Sequence, residues 1–210
     1  SPLSVGNTFT QDDVDQGRIS YTHDGSETTA DGFAFTLAGP IVTLTTVHGF
    51  GIAITPTNDP PALDVLREVQ VDEGGSVVIS NGYLRVLDGD THSSKLIFTV
   101  HEGPFHGRLD RNAFSQAGID ESSVRYVHDD SETQRDSLRF SVTDHTGMEL
   151  AGTWLRFAIR ALNDGPIIPS IENPQVQEGE LLVLDLPATD PEGDAIEMTV
   201  TALPPGGTLN

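Results

Sequence analysis

The chain has 210 residues, 32 of them acidic against 11 basic, a net charge of −21, and no cysteine. That charge repels phosphate backbones and argues against nucleic acid as a partner. The missing thiols exclude disulfides, a cysteine nucleophile and cysteine-based zinc sites.

Residues 1–60 hold short alternating segments and no convincing helix. Phe33-Ala34-Phe35-Thr36-Leu37 alternates large with small, the period-two pattern of a half-buried strand. Ile41-Val42-Thr43-Leu44 and Ile52-Ala53-Ile54 read the same way. Thr57-Asn58-Asp59-Pro60-Pro61 then ends the sheet, because proline lacks the N–H that a ladder needs.

Residues 62–166 hold seven candidate strands: 68–71, 77–79, 84–86, 96–100, 124–127, 138–143 and 154–160. Short strands separated by turn residues suggest a β-sandwich. Leu138, Phe140 and Val142 alternate so as to face its core, and Trp154 is expected in the core or at an edge. Ala161-Leu162-Asn163-Asp164-Gly165-Pro166 is a second linker. Residues 167–210 open like the preceding stretch, with Val176-Gln177-Glu178-Gly179 and the turn Asp190-Pro191-Glu192-Gly193-Asp194. Met198, Pro204, Gly207 and Leu209 then match Phe98, Pro104, Gly107 and Leu109. No apolar run is long enough to insert in a membrane. Ser1-Pro2-Leu3 opens neither a basic nor an apolar leader, as expected of a mature or excised piece of a longer chain.

The chain repeats itself. His23-Asp24-Gly25-Ser26-Glu27-Thr28 returns as His128-Asp129-Asp130-Ser131-Glu132-Thr133, an offset of 105. At that offset Tyr21 pairs with Tyr126, Asp31 with Asp136, Phe35 with Phe140, and Asn58-Asp59 with Asn163-Asp164. Val71-Asp72-Glu73-Gly74 pairs with Val176–Gly179. A period of this length buries its own core, unlike a solenoid repeat of about 20–50 residues. The expected division is therefore 1–61, the later half of one repeat; 62–166, a complete repeat; and 167–210, the earlier half of the next. The two halves in register sum to one repeat, and two readings stand: the ends reflect where a longer chain was cut, or the halves meet head to tail with other copies or neighbouring repeats and propagate as a filament.

Motifs for catalysis are missing: there is no Gly-x-Ser-x-Gly, His-Glu-x-x-His or phosphate loop. His23 and His128 precede acidic turns and are expected to hold those turns by hydrogen bonds. The acidic residues cluster at fixed repeat positions: Glu73; Asn58 and Asp59; Asn163 and Asp164; Asp88 and Asp90; Asp190 and Asp194; and the turn Asp129, Asp130 and Glu132. Glu73, Asn163, Asp164, Asp190 and Asp194 are expected to converge at one junction, where oxygen ligands suit Ca²⁺. Asn-Asp and Asp-Gly-Asp are also ordinary turn formers, and both readings stand at this stage.

The run from Phe9 to Thr28, with Asp31 and Phe35, resembles the chondroitin-sulphate-proteoglycan repeat, as does Gly103-Pro104-Phe105-His106-Gly107-Arg108-Leu109. That family is cadherin-like and forms tandem arrays in large matrix proteins of the Fraser-syndrome type and in bacterial surface proteins. The resemblance implies an all-β fold, tandem cadherin-like (immunoglobulin-like) β-sandwich repeats in a linear array. It also implies extracellular or cell-surface placement and a non-enzymatic scaffold or adhesive role, with extracellular proteins or glycans as partners. A protein- or glycan-binding module using the loops of one repeat is the alternative, with Trp154 and the Gly103–His106 loop as its candidates. Cadherins hold calcium through Asp-x-Asn-Asp-Asn linkers, an early Glu and an Asp-x-Asp. Asn58-Asp59 and Asn163-Asp164 match the linker centre, Glu73 and Glu178 the early Glu, Asp88 and Asp90 the Asp-x-Asp. Pro56 and Ala161 replace the first linker Asp, and Pro60 and Gly165 the last Asn, so the departures from the family pattern leave room for one or two weaker ions or none, rather than three.

Overall fold

The computed structural model describes residues 2–41, 43–171, 173–203, 205–206 and 208–209, without the side chains of 43–45. It divides into two compact units, residues 1–58 and 59–210.

The first unit starts with a one-turn helix, α1 (Gln11–Asp15), which the strand-based reading of residues 1–60 omits. Its signal is local: Thr10 Oγ1 accepts from the Asp13 N–H while the Asp13 carboxylate accepts from the Thr10 N–H, a reciprocal cap. Strand β1 (Ala30–Ala38) then pairs antiparallel with β2 (Thr43–Ala53). Phe33 stands opposite Phe50, their rings stacked at 5.2 Å. The segments expected at 41–44 and 52–54 fall largely within the single strand β2, with Val42 outside the described residues.

The second unit holds the sandwich. One sheet of five strands has the order β4 (Val69–Asp72), β12 (Glu149–Arg160), β11 (Arg135–Thr143), β7 (Ile97–Glu102), β9 (Ala113–Ser115). Facing it are β5 (Ser76–Val78), β10 (Arg125–His128) and β8 (Gly107–Leu109). A two-stranded ribbon, β3 (Ala62–Leu66) with β6 (Leu84–Leu87), completes the strands. The β4–β12 pair is parallel; the rest of the five-stranded sheet is antiparallel. A second short helix, α2 (Gln116–Asp120), is capped by Ser115, whose hydroxyl accepts from the Gly118 N–H.

Alternation along β11 sends Leu138, Phe140 and Val142 inward, and all three are buried as the period predicts. Tyr126 of β10 stacks on Phe157 of β12 at 4.0 Å, joining the two sheets through their aromatic faces. Phe98 stacks on Phe114 and tilts against Phe140. Trp154 departs from the core expectation. It sits opposite Arg139 on the outer face and is 38 % exposed, which agrees with its place on the polar phase of β12.

Residues 167–210 have the strand-like sequence but not the strands. Among the described residues they carry one isolated antiparallel bridge, Ile167 to Thr189. Leu181 and Val183 are 89 % and 83 % exposed, so their apolar side chains lack a core. The matches at Pro204 and Gly207 lie outside the described residues.

Candidate metal centre

The end of β4 is fixed to the end of β12 by backbone and side chain together. Asp72 and Arg160 are register partners, and Arg160 donates from Nε and Nη2 to the two oxygens of Asp72 at 2.7 and 2.8 Å. This fork holds the Asp72 carboxyl below its ordinary range. The next residue, Glu73, donates its N–H to the Arg160 carbonyl at 3.0 Å and turns inward, 5 % exposed. Its Oε2 accepts from the Leu162 N–H at 3.0 Å. Its Oε1 is buried with no hydrogen-bond donor among the described residues. Such an atom costs about 1–3 kcal/mol or more unless a water or an ion answers it.

A turn brings the second carboxylate. His128 Nδ1 accepts from the Gly74 N–H at 3.2 Å, so Nε2 carries the proton and donates to Thr133 Oγ1 at 3.0 Å. Asp129 Oδ1 accepts from the N–H and hydroxyl of Ser131, the hydroxyl contact chiefly lowering its pKa. Gly74 has φ +60, and a Cβ there would collide with the Asp130 carboxylate, so only glycine fits. Between these anchors the turn delivers Glu132. A third carboxylate, Glu192, accepts from the Asp164 N–H at 3.1 Å, placing its loop beside the linker.

One oxygen each from Glu73, Glu132 and Glu192 lies within 4.8 Å of the others. Among the described residues, no basic side chain bonds to any of the three. Burial first, then the charges of Glu73, Glu192 and Asp164, push the Glu132 carboxyl up. An all-oxygen donor set, an orphaned buried oxygen and carboxylates crowded without a cation fit a hard divalent ion.

Of the residues singled out in the sequence, Glu73 and Glu132 join this cluster, and Asp164 borders it. Asp190 instead shapes the loop, accepting from the Asp194 N–H at 3.0 Å. Asn163 donates from Nδ2 to the Asp164 carbonyl, and Asp130 lies against Gly74. Glu192 is the residue sequence reasoning passed over; its signal was its place as the one glutamate inside Asp190–Asp194. Asp88, Asp90 and Asp59 form a separate group: Asp88 Oδ1 accepts from the Asp90 and Thr91 N–H groups, and Asp90 Oδ2 from the Asp59 N–H at 2.9 Å. Asp88 Oδ2 is buried without a partner among the described residues. Asn58 is the last residue of the first unit.

A family model and relatives match this chain. A family model described as Cadherin-like matches residues 1–47 and 61–160. Extracellular matrix protein 3 of Lytechinus variegatus is 30 % identical over 96 % of this chain, which spans 7 % of that protein. Human Chondroitin sulfate proteoglycan 4 is 34 % identical over 80 % of this chain and 8 % of its own length. The solved Protocadherin Gamma C5 EC1-3 matches with 16 % identity and a TM-score of 0.39, covering 78 % of this chain and 55 % of that one. Among the described residues no helix is long and apolar enough to cross a membrane. The chain belongs to the Cadherin-like family, as a segment of extracellular-matrix or cell-surface type.

Proposed function

We propose that the chain is a length of tandem repeat in an extracellular scaffold, divided at 1–61, 62–166 and 167–210, and stiffened by Ca²⁺ at its junctions. The observation that carries this is Glu73 Oε1, buried without a donor beside carboxylates from a turn and from the following loop. Glu73, Glu132 and Glu192 would ligate the ion, with Asp164 adjacent; Asp59, Asp88 and Asp90 would form a second oxygen-rich set within the second unit. When bound, the ion cancels the mutual repulsion of the carboxylates and ties the linker to the sandwich. The exposed apolar side chains of residues 167–203 are covered, in this reading, by the later strands of a repeat from neighbouring sequence or a second copy, head to tail.

Millimolar calcium should raise the melting temperature of the second unit relative to chelator, by about 2.7 kcal/mol of stability at a hundredfold excess over Kd. Trp154, the single tryptophan, reports on that unit. Glu73→Gln should abolish the shift. An unchanged melting temperature in calcium would sink the metal reading.

A second reading, a binding module, is favoured by a groove beside Phe105 and is taken up next.

A further inference from the structure

A groove of about 390 Å³ lies beside the β11–β12 pair, lined among others by Glu68, Phe105, His106, Arg135, Asp136 and Arg156. Arg156 lies opposite Ser137, and Arg135 opposite Ala158, so the arginines are diagonal neighbours, about 7–8 Å apart and somewhat less at their Cβ atoms. Among the described residues neither guanidinium makes a hydrogen bond or ion pair. The other two arginines of these strands differ: Arg139 is answered by Glu102 and Arg160 by Asp72. Arg67 and Arg108 also lack an ion pair among the described residues, but Arg135 and Arg156 are the two that share one face of adjacent strands.

Phe105 is presented on purpose rather than left over from a core. It is 60 % exposed, yet its own N–H and that of His106 donate to the buried Asp136 at 2.8 and 3.0 Å. The Tyr126 hydroxyl and the Ser137 N–H occupy Asp136 as well. The loop is therefore fixed while the ring faces solvent.

The repeat register separates scaffold from site. At the same offset of 105, Asp31 replaces Asp136, and Ala30 still pairs with Ala53 as Arg135 pairs with Ala158. The aspartate and its tyrosine bond are kept in both repeats, but Arg135 and Arg156 become Ala30 and Gly51. The third repeat has Pro205 in place of Phe105. The groove side chains therefore differ from repeat to repeat.

Both strands are interior to their sheet, so no backbone edge is free for an added peptide strand. Phe157 at the groove floor is fully buried, which leaves no apolar slot for a peptide anchor. The groove offers two guanidinium forks, a hydroxyl, an imidazole and one flat ring. The net charge of −21 disfavours polyanions over the chain as a whole, but Arg135 and Arg156 concentrate positive charge here, and we propose that the groove binds an anionic polysaccharide. A carboxylate or sulfate group sits between Arg135 and Arg156, and the C–H face of a sugar ring lies on Phe105. Glu68, the exposed carboxylate of the groove, accepts from sugar hydroxyls.

This deepens the binding-module reading and does not rest on calcium, so the test runs in chelator. The whole chain is titrated with dextran sulfate, polygalacturonate, neutral dextran and poly-glutamate, with Trp154 fluorescence and calorimetry as readouts. Binding of dextran sulfate, of polygalacturonate or of both, with neutral dextran and poly-glutamate inert, is expected and shows which anion is read. Arg135→Ala and Arg156→Ala should each weaken binding about tenfold or more, Phe105→Ala several-fold, and Arg67→Ala, outside the groove, not at all. These surface substitutions should leave circular dichroism unchanged. The proposal is overturned if neither charged polysaccharide binds, if poly-glutamate binds as tightly through the same arginines, or if Arg67→Ala weakens binding equally. Any of these results leaves the calcium reading standing, since its own test is thermal.

Discussion

The same six-residue turn stands in two surroundings. Around His23 and around His128 the bonds agree: histidine Nε2 to threonine Oγ1 at 2.9 and 3.0 Å, and serine N–H to aspartate Oδ1 at 3.0 and 3.2 Å. The tyrosine–aspartate bonds agree too, Tyr21 to Asp31 at 2.9 Å and Tyr126 to Asp136 at 2.8 Å. What differs is burial. The His23 side chain is 23 % exposed and its Nδ1 accepts from Gly25 within the turn; the His128 side chain is fully buried and its Nδ1 accepts from Gly74 across the unit. The turn is therefore specified by its own residues, and the sandwich adds the buried contacts that make it matter energetically.

Breaking the sandwich side of the comparison has the largest effect. Phe157→Ala removes the ring on which Tyr126 stacks and should cost about 3–5 kcal/mol in denaturant unfolding followed by Trp154. Phe33→Ala, in the exposed hairpin, should cost less than about 1 kcal/mol. Next comes the hydroxyl. Tyr126→Phe strips a donor from buried Asp136 and should cost about 1–3 kcal/mol. Tyr21→Phe, with the same bond at the surface, should change stability by no more than about 0.5 kcal/mol. Equal losses at the two tyrosines would show that burial is not what separates the copies.

The smallest effect concerns Glu132. Its folded pKa is raised, so its contribution is fully present below the unfolded value of 4.5 and is lost as pH rises through the folded one. In chelator, Glu132→Gln should therefore raise the melting temperature at neutral pH, with the gain vanishing below pH 4.5. Asp72 and Asp129, lowered instead, give the opposite slope at more acid pH. A neutral-pH loss from Glu132→Gln without calcium would contradict the crowding of the three carboxylates.

Period-two alternation located the long strands well, because β11 and β12 each bury one face over many residues. It passed over β8 and β9, three residues each, which are too short to show a period. It passed over α1 and α2 because one-turn helices are set by caps, Thr10 with Asp13 and Ser115 with Gly118, rather than by a stripe. Strand β3 (Ala62–Leu66) was hidden behind the prolines of the linker. At the site, repeated acids pointed to Glu73 and Glu132. Glu192 was legible only through tertiary placement, since its Asp neighbours carry the turn signal.

The parallel pairing of β4 with β12 has a mechanical consequence. The chain passes from the β3–β6 ribbon into β4 and leaves from the end of β12, and these strands lie side by side from Val69–Phe157 to Asp72–Arg160. Tension along the array pulls the two strands in opposite directions along their shared axis. The load falls in shear on every rung of that ladder at once, and on the Asp72–Arg160 fork at its end, rather than peeling the rungs one by one. A repeat built this way resists stretching at the seam where its neighbours pull on it.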